Sequence, residues 1–185
     1  MDRIVIIDTE TTGLSPREGN HRIVNLAAVE IIDGDITGSI LHYFLNPQGK
    51  KSTSKAHAVH QIEDSFLLDK PTFCQIAEEF LEFIDGARLS FYNSEFDVEF
   101  LQAEVDRCGL DIVFKRDYDV SCLMRDFAKR ENDGKWVKLD NACIRYGIDI
   151  TERKTHGAAI DAFITAELYI KFHYSGDKPL SKTPH

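Results

Sequence analysis

Basic residues are scarce in this chain: 22 Lys and Arg stand against 31 Asp and Glu, a net charge of -9 at neutral pH. A protein that wraps duplex nucleic acid shows a basic face, so a broad electrostatic grip of that kind is excluded. A grip on a strand end through bound cations is not, because such ions supply positive charge that a residue count misses. Cysteines number only four, Cys74, Cys108, Cys122 and Cys143, far apart and without a C-x-x-C pair. That pattern argues for buried reduced thiols rather than a disulfide frame or a zinc site. No apolar run approaches membrane-spanning length, so no membrane partner is expected. Met1-Asp2-Arg3 leads into only four apolar residues before Asp8, which does not match a signal peptide, and the expected location is cytoplasmic.

What is present suits one globular domain. The 185 residues are 43% hydrophobic and 29% charged, enough to bury a core and unlike a disordered composition. Ile4 to Ile7 reads as a strand buried on both faces. Ile23 to Ile32 and Ile36 to Leu45 read as two strands joined at Asp33-Gly34, a pair that tolerates positive φ. Pro47 to Ser54 reads as a polar loop. From Thr72, Phe73, Ile76, Ala77, Phe80, Leu81 and Ile84 form a helical stripe closed by Gly86. Leu89 to Tyr92 reads as a further strand and Glu95 to Cys108 as a helix. More helices are expected at Ser121 to Arg130, Lys138 to Tyr146 and Gly157 to Phe172. Strands followed by helices interleaved with strands predict an α/β domain around one mixed sheet, spanning 1–174, with a flexible polar tail at 175–185.

Four carboxylates and one histidine stand out. Residues two apart in a strand point to one side, so Asp8 and Glu10 would project together, where they repel unless a cation sits between them. An isolated D-x-E in so acidic a chain is more often a solvated strand end. The following Thr11-Thr12-Gly13 favours a site, since Gly13 lets backbone approach a ligand. Asp97 borders the apolar stripe of its helix, although an aspartate in a first turn also suits the helix dipole. His156 and Asp161 are five apart, about 140° around a helix, which places His156 in the preceding loop and Asp161 inside the helix. The small residues Gly157, Ala158 and Ala159 leave room beside them.

Asp8-Thr9-Glu10-Thr11-Thr12-Gly13, Phe96-Asp97-x-x-Phe100-Leu101 and His156-x-Ala158-x-x-Asp161 together resemble the three motifs of the DEDDh family of 3'→5' exonucleases, and more narrowly its proofreading branch, the epsilon subunits of bacterial DNA polymerase III. Val59-His60-x-Ile62, Leu67 to Phe73 and Leu139-Asp140-x-x-Cys143-x-Arg145-Tyr146 extend the likeness from about the first residue to Tyr169. The resemblance implies a ribonuclease H-like fold and two Mg²⁺ or Mn²⁺ ions held by Asp8, Glu10, Asp97 and Asp161. It implies His156 as general base, and Thr11, Leu14 and His60 against the terminal nucleotide. The implied substrate is a single-stranded DNA 3' end, cut to nucleoside 5'-monophosphates in replication proofreading beside the polymerase's alpha subunit. The chain departs from the family where Tyr92-Asn93-Ser94 replaces His-Asn-Ala and where Gln61 replaces a frequent glycine. Trimming of RNA or short oligonucleotides by the same five residues is a second reading, and a non-catalytic polymerase accessory module a third. An aspartate-based phosphatase is disfavoured because that chemistry wants a second aspartate where Glu10 stands.

Overall fold

The structure, a computed structural model, describes residues 2–151, 153 and 157–174. His156 and the tail 175–185 lie outside the described residues. Five strands form one mixed sheet in the order β3-β2-β1-β4-β5: β1 (Arg3–Thr11), β2 (Ile23–Ile32), β3 (Asp35–Phe44), β4 (Arg88–Phe91) and β5 (Val120–Cys122). The β2 and β3 pairings are antiparallel, whereas β1, β4 and β5 run parallel. The expected α/β class with one mixed sheet is borne out.

Strand β1 is central because both its faces are apolar. Ile4 and Ile6 enter one core, and Val5 and Ile7 enter the other. The first core lies under α5 (Leu123–Glu131), α6 (Leu139–Arg145) and α7 (Ala158–His173), with Phe127, Tyr146, Leu168 and Phe172 among its contributors. The second lies under α2 (Phe73–Ile84) and α3 (Ser94–Arg107), filled by Phe73, Phe80, Phe91 and Phe100. Burying β1 on both sides leaves only its end free to carry polar groups to the surface.

Local chemistry sets the element ends. The β2–β3 turn has Asp33 at φ 50° and Gly34 at φ 91°, the paired positive values of a tight hairpin. Gln75 Oε1 accepts the Thr72 N–H at 2.8 Å, fixing the start of α2. Strand β3 is the sheet's edge, and its pairing with β2 is interrupted between Val29 and Ile31, opposite Gly38 at φ 87°. A bulge of this kind needs a residue without Cβ.

Four points differ from the sequence reading. Helix α1 (Ser54–His60) follows the polar loop, its N-cap Thr53 accepting the Ala56 N–H at 3.2 Å. Seven residues with a single buried position show no apolar stripe, so periodicity could not reveal it. A short helix, α4 (Phe114–Asp117), is a further element that the sequence pattern does not announce. The expected helix at Ser121 begins instead at Leu123, because Val120–Cys122 pairs with β4 as an edge strand three residues long. Finally, Cys74 and Cys108 are joined in a disulfide, their Cα atoms 5.4 Å apart, which corrects the expectation of four reduced thiols. The fold brings the start of α2 against the end of α3, a proximity that a separation of 34 residues does not announce. Cys122 and Cys143 are buried free thiols, as expected. Among the described residues no helix is long and apolar enough to cross a membrane.

Candidate active site

The alternation that places Ile4 and Ile6 under α7 continues to Asp8 and Glu10, so both carboxylates emerge on the α7 side at the end of β1. Helix α7 starts with its N-cap at Gly157 and presents Asp161 in its first turn. Carboxylate oxygens of Asp8, Glu10 and Asp161 all lie within 4.8 Å of one another. Thr9, between the pair, faces the opposite way towards α3. Its N–H and Oγ1 donate to Asp97 Oδ1 at 3.0 and 2.7 Å, which draws that first-turn aspartate to the same strand end. All four carboxylates line one cleft of about 480 Å³, together with Tyr92, Lys138, Asp140 and Arg153.

Their electrostatics are those of a cluster short of positive charge. Burial holds the Asp8 carboxyl well above the usual range, reinforced by Asp97, Asp161 and Glu10, and Arg153 pulls it back. Glu10 is pushed up to about 8, by burial first and then by Asp161 and Asp97. Burial raises Asp97 to about 7 despite the stabilising Thr9 hydrogen bonds. Arg153 supplies part of the missing charge: its Nε and Nη2 donate to Asp161 at 2.6 and 2.7 Å, and its Nη1 bonds Asp140. Crowded, desolvated carboxylates of this kind gain most from a divalent cation, and an all-oxygen donor set matches a hard ion rather than zinc. The residues therefore fit the metal ions that the resemblance implies.

A second recess of about 430 Å³ adjoins the first, lined by Glu10, Thr11, Leu14, Val59, His60 and Phe96 among others. Leu14 is 81% exposed at its mouth. The Thr11 hydroxyl donates to Gly13 O at 2.6 Å and so braces its own turn. A Cβ at Gly13 would fall 2.4 Å from the His21 ring, so packing against that side chain also calls for glycine. His60 is buried, with Nδ1 accepting the Ile62 N–H at 2.9 Å. The proton must then reside on Nε2, which has no partner among the described residues. Burial lowers the pKa of this ring, in keeping with the neutral form.

A family model described as exonuclease matches residues 5–169. The chain belongs to the exonuclease family. It is 39% identical over 175 residues to the DNA polymerase III subunit epsilon of Escherichia coli (strain K12), covering 91% of this chain and 70% of that one. Against the epsilon subunit of Rickettsia conorii the identity is 37% over 172 residues, covering 91% and 73%. Among solved structures, exonuclease X in complex with 5' overhanging duplex DNA superposes with a TM-score of 0.67 and 25% identity over 95% of each chain. E. coli exonuclease I, in a complex with single-stranded DNA, gives a TM-score of 0.79 at 16% identity. That likeness shows the fold alone, and the chain spans only 41% of exonuclease I. The resemblance to DEDDh exonucleases and the ribonuclease H-like fold are both borne out.

The family departures have structural counterparts. Tyr92 lines the carboxylate cleft and its hydroxyl donates to Val137 O at 2.5 Å, tying the end of β4 to the segment before α6. Gln61 is the C-cap of α1 at φ 53°, the left-handed region where glycine costs least. Sequence reasoning missed Thr9, Arg153 and Asn25, whose Oδ1 accepts the Ala158 N–H at the start of α7. Arg153 carries a faint signal, a cation three residues before His156. Thr9 and Asn25 carry none, because each acts through a partner distant in sequence.

Proposed function

We propose that this member of the exonuclease family is a metal-dependent 3'→5' exonuclease that removes nucleoside 5'-monophosphates from single-stranded DNA ends, in proofreading. The observation that carries this reading is the convergence of Asp8, Glu10, Asp97 and Asp161 from β1, α3 and α7 on one cleft beside an apolar recess. Asp8, Glu10 and Asp161 would hold one ion, and Asp8 with Asp97 a second, with Mg²⁺ or Mn²⁺ the ions of choice. When bound, such ions supply Lewis acidity and charge neutralisation at the scissile phosphate. His156 is assigned the proton of the attacking water, a task suited to an imidazole near neutral pH.

The chain's own residues define the binding half of the site. The recess takes the terminal nucleotide, with Leu14 against the base and His60 Nε2–H donating to a substrate oxygen. The unpartnered, buried Nε2 supports that role, since a donor left without an acceptor costs stability until substrate supplies one. Thr11 shapes the turn that carries Leu14. A polymerase alpha subunit as partner and a cytoplasmic setting go with the epsilon resemblance.

The test uses a labelled single-stranded oligonucleotide with Mn²⁺ and compares wild type with Asp8→Ala and His156→Ala. Stepwise release of 5'-mononucleotides from the 3' end by wild type alone is expected. Equal degradation by all three would overturn the assignment. A matched RNA oligonucleotide in competition separates DNA trimming from RNA trimming.

A further inference from the structure

Trp136 is the chain's one tryptophan, and it is 72% exposed on the segment between α5 and α6. Single exposed hydrophobic residues are ordinary, and by itself this one would need no account. Its setting is not ordinary. The segment is held from several sides: Gly134 N–H donates to Ala128 O at 2.9 Å, Asn132 Nδ2 donates to Lys135 O at 2.7 Å, and the Tyr92 hydroxyl bonds Val137 O. Val137 is buried in the first core. The indole is thus fixed outward by a braced backbone rather than carried on a loose loop.

Lysines stand one residue before it and two after it, with Asp133 and Asp140 just beyond them. Lys135 and Lys138 are both exposed, and neither makes an ion pair among the described residues. Lys138 also lines the carboxylate cleft, as does Tyr92, so the segment is continuous with the site. Trp136 is two residues from Lys138, about 7 Å along an extended backbone. The recess that takes the terminal nucleotide shares Glu10, Val59 and Phe96 with the cleft, whereas Lys138 and Asp140 belong to the cleft alone. The carboxylate cleft thus adjoins the recess through Glu10, Val59 and Phe96, and reaches the Trp136 segment through Lys138. A strand with its last nucleotide in the recess and its scissile phosphate at the carboxylates has an exit past Lys138 towards that segment.

We infer that Trp136, with Lys135 and Lys138, forms a docking platform for single-stranded nucleic acid on the 5' side of the scissile phosphate. The indole stacks on a base, and the lysine ammonium groups meet the adjoining phosphates. Base–aromatic stacking tolerates any sequence, and two lysines give a salt-dependent contribution. Tyr92, through its bond to Val137 O, is the positioning residue that sets the platform at the cleft. This inference rests on the exonuclease reading for the direction of the strand.

Two measurements test it. Trp136 is the sole indole, so its fluorescence reports docking directly, without catalysis. In EDTA, titration with dT12 is expected to quench it, whereas thymidine 5'-monophosphate, which fills only the recess, leaves it unchanged. In Mn²⁺, the ratio of kcat/KM on dT12 to kcat/KM on the p-nitrophenyl ester of thymidine 5'-monophosphate is expected to fall about tenfold in Trp136→Ala. Trp136→Phe restores most of that ratio, which a merely structural defect would not do. No quenching by dT12, or an unchanged ratio in Trp136→Ala, would overturn the platform while leaving the exonuclease reading intact. Wild type inactive on both substrates would instead overturn the exonuclease reading, and fluorescence would still decide the platform.

Discussion

Asn25 holds the first turn of α7 from 133 residues away: its Oδ1 accepts the Ala158 N–H at 3.0 Å, and its Nδ2 donates to Tyr43 O and contacts His42 Nε2. A buried strand residue thus caps the helix that delivers Asp161. Asn25→Ala leaves a buried N–H without an acceptor, at a cost of about 1–3 kcal/mol. Urea unfolding is expected to show that loss, and Mn²⁺ titration calorimetry is expected to show weaker binding, because Asp161 loses its fixed position. Unchanged metal affinity would mean that α7 is positioned by packing alone.

The pH dependence of the metal-free protein follows from Glu10 and Asp97. Their folded-state values, about 8 and about 7, stand above ordinary values of 4.5 and 3.8. Below the ordinary values both groups are protonated folded or unfolded, and their contribution to stability is fully present. As pH rises, the unfolded chain ionises first and is favoured, so stability is lost on the way up to pH 7–8. In EDTA the melting temperature is expected to fall between pH 5 and pH 8, and Glu10→Gln is expected to flatten that fall. A flat wild-type profile would refute the crowding of the carboxylates.

Glu104 is 1% exposed and accepts Arg22 Nε and Nη2, each at 2.7 Å, joining α3 to the start of β2. Glu104 also accepts Arg107 Nη1 at 3.1 Å, and removing the carboxylate from such a buried cluster strands its cations, typically at about 3–5 kcal/mol. Glu104→Ala is expected to destabilise by that order in urea, and pairing it with Arg22→Met is expected to recover part of the loss, since Arg107 and the Ile23 N–H still lack their acceptor.

Thiol titration of the denatured protein tests the Cys74–Cys108 bond. Two reactive thiols are expected without reductant, from Cys122 and Cys143, and four after reduction. The closed loop corresponds to about 4 kcal/mol in the chain-entropy account, an upper figure for the stability lost on reduction. Four thiols at the outset would show that the bond does not form in solution.

Gln61 bears a left-handed backbone at the end of α1, one residue after His60. Gln61→Gly is expected to raise stability by about 0.5–1 kcal/mol in thermal melts, since glycine adopts positive φ without a Cβ clash.

The sequence was legible where a local pattern carries the structure. The alternation in β1 already pointed Asp8 and Glu10 to one side, the Asp33-Gly34 pair marked the hairpin, and the Phe73 to Ile84 stripe marked α2. Illegible were features created by chain crossings. The Thr9–Asp97 bonds join β1 to α3, Asn25 reaches α7, and Cys74 meets Cys108 only because two helices pack. The short elements α1 and β5 escaped for another reason: three to seven residues are too few for a period to register.

The interruption opposite Gly38 bears on how the protein behaves at high concentration. Strand β3 runs along the rim of the sheet for ten residues, with a largely exposed face that includes Ile40. An unbroken rim of that length would be a template on which a neighbouring molecule could zip. The kink divides it into two short stretches that no straight strand can follow, so the molecule guards itself against fibrous self-association through one glycine.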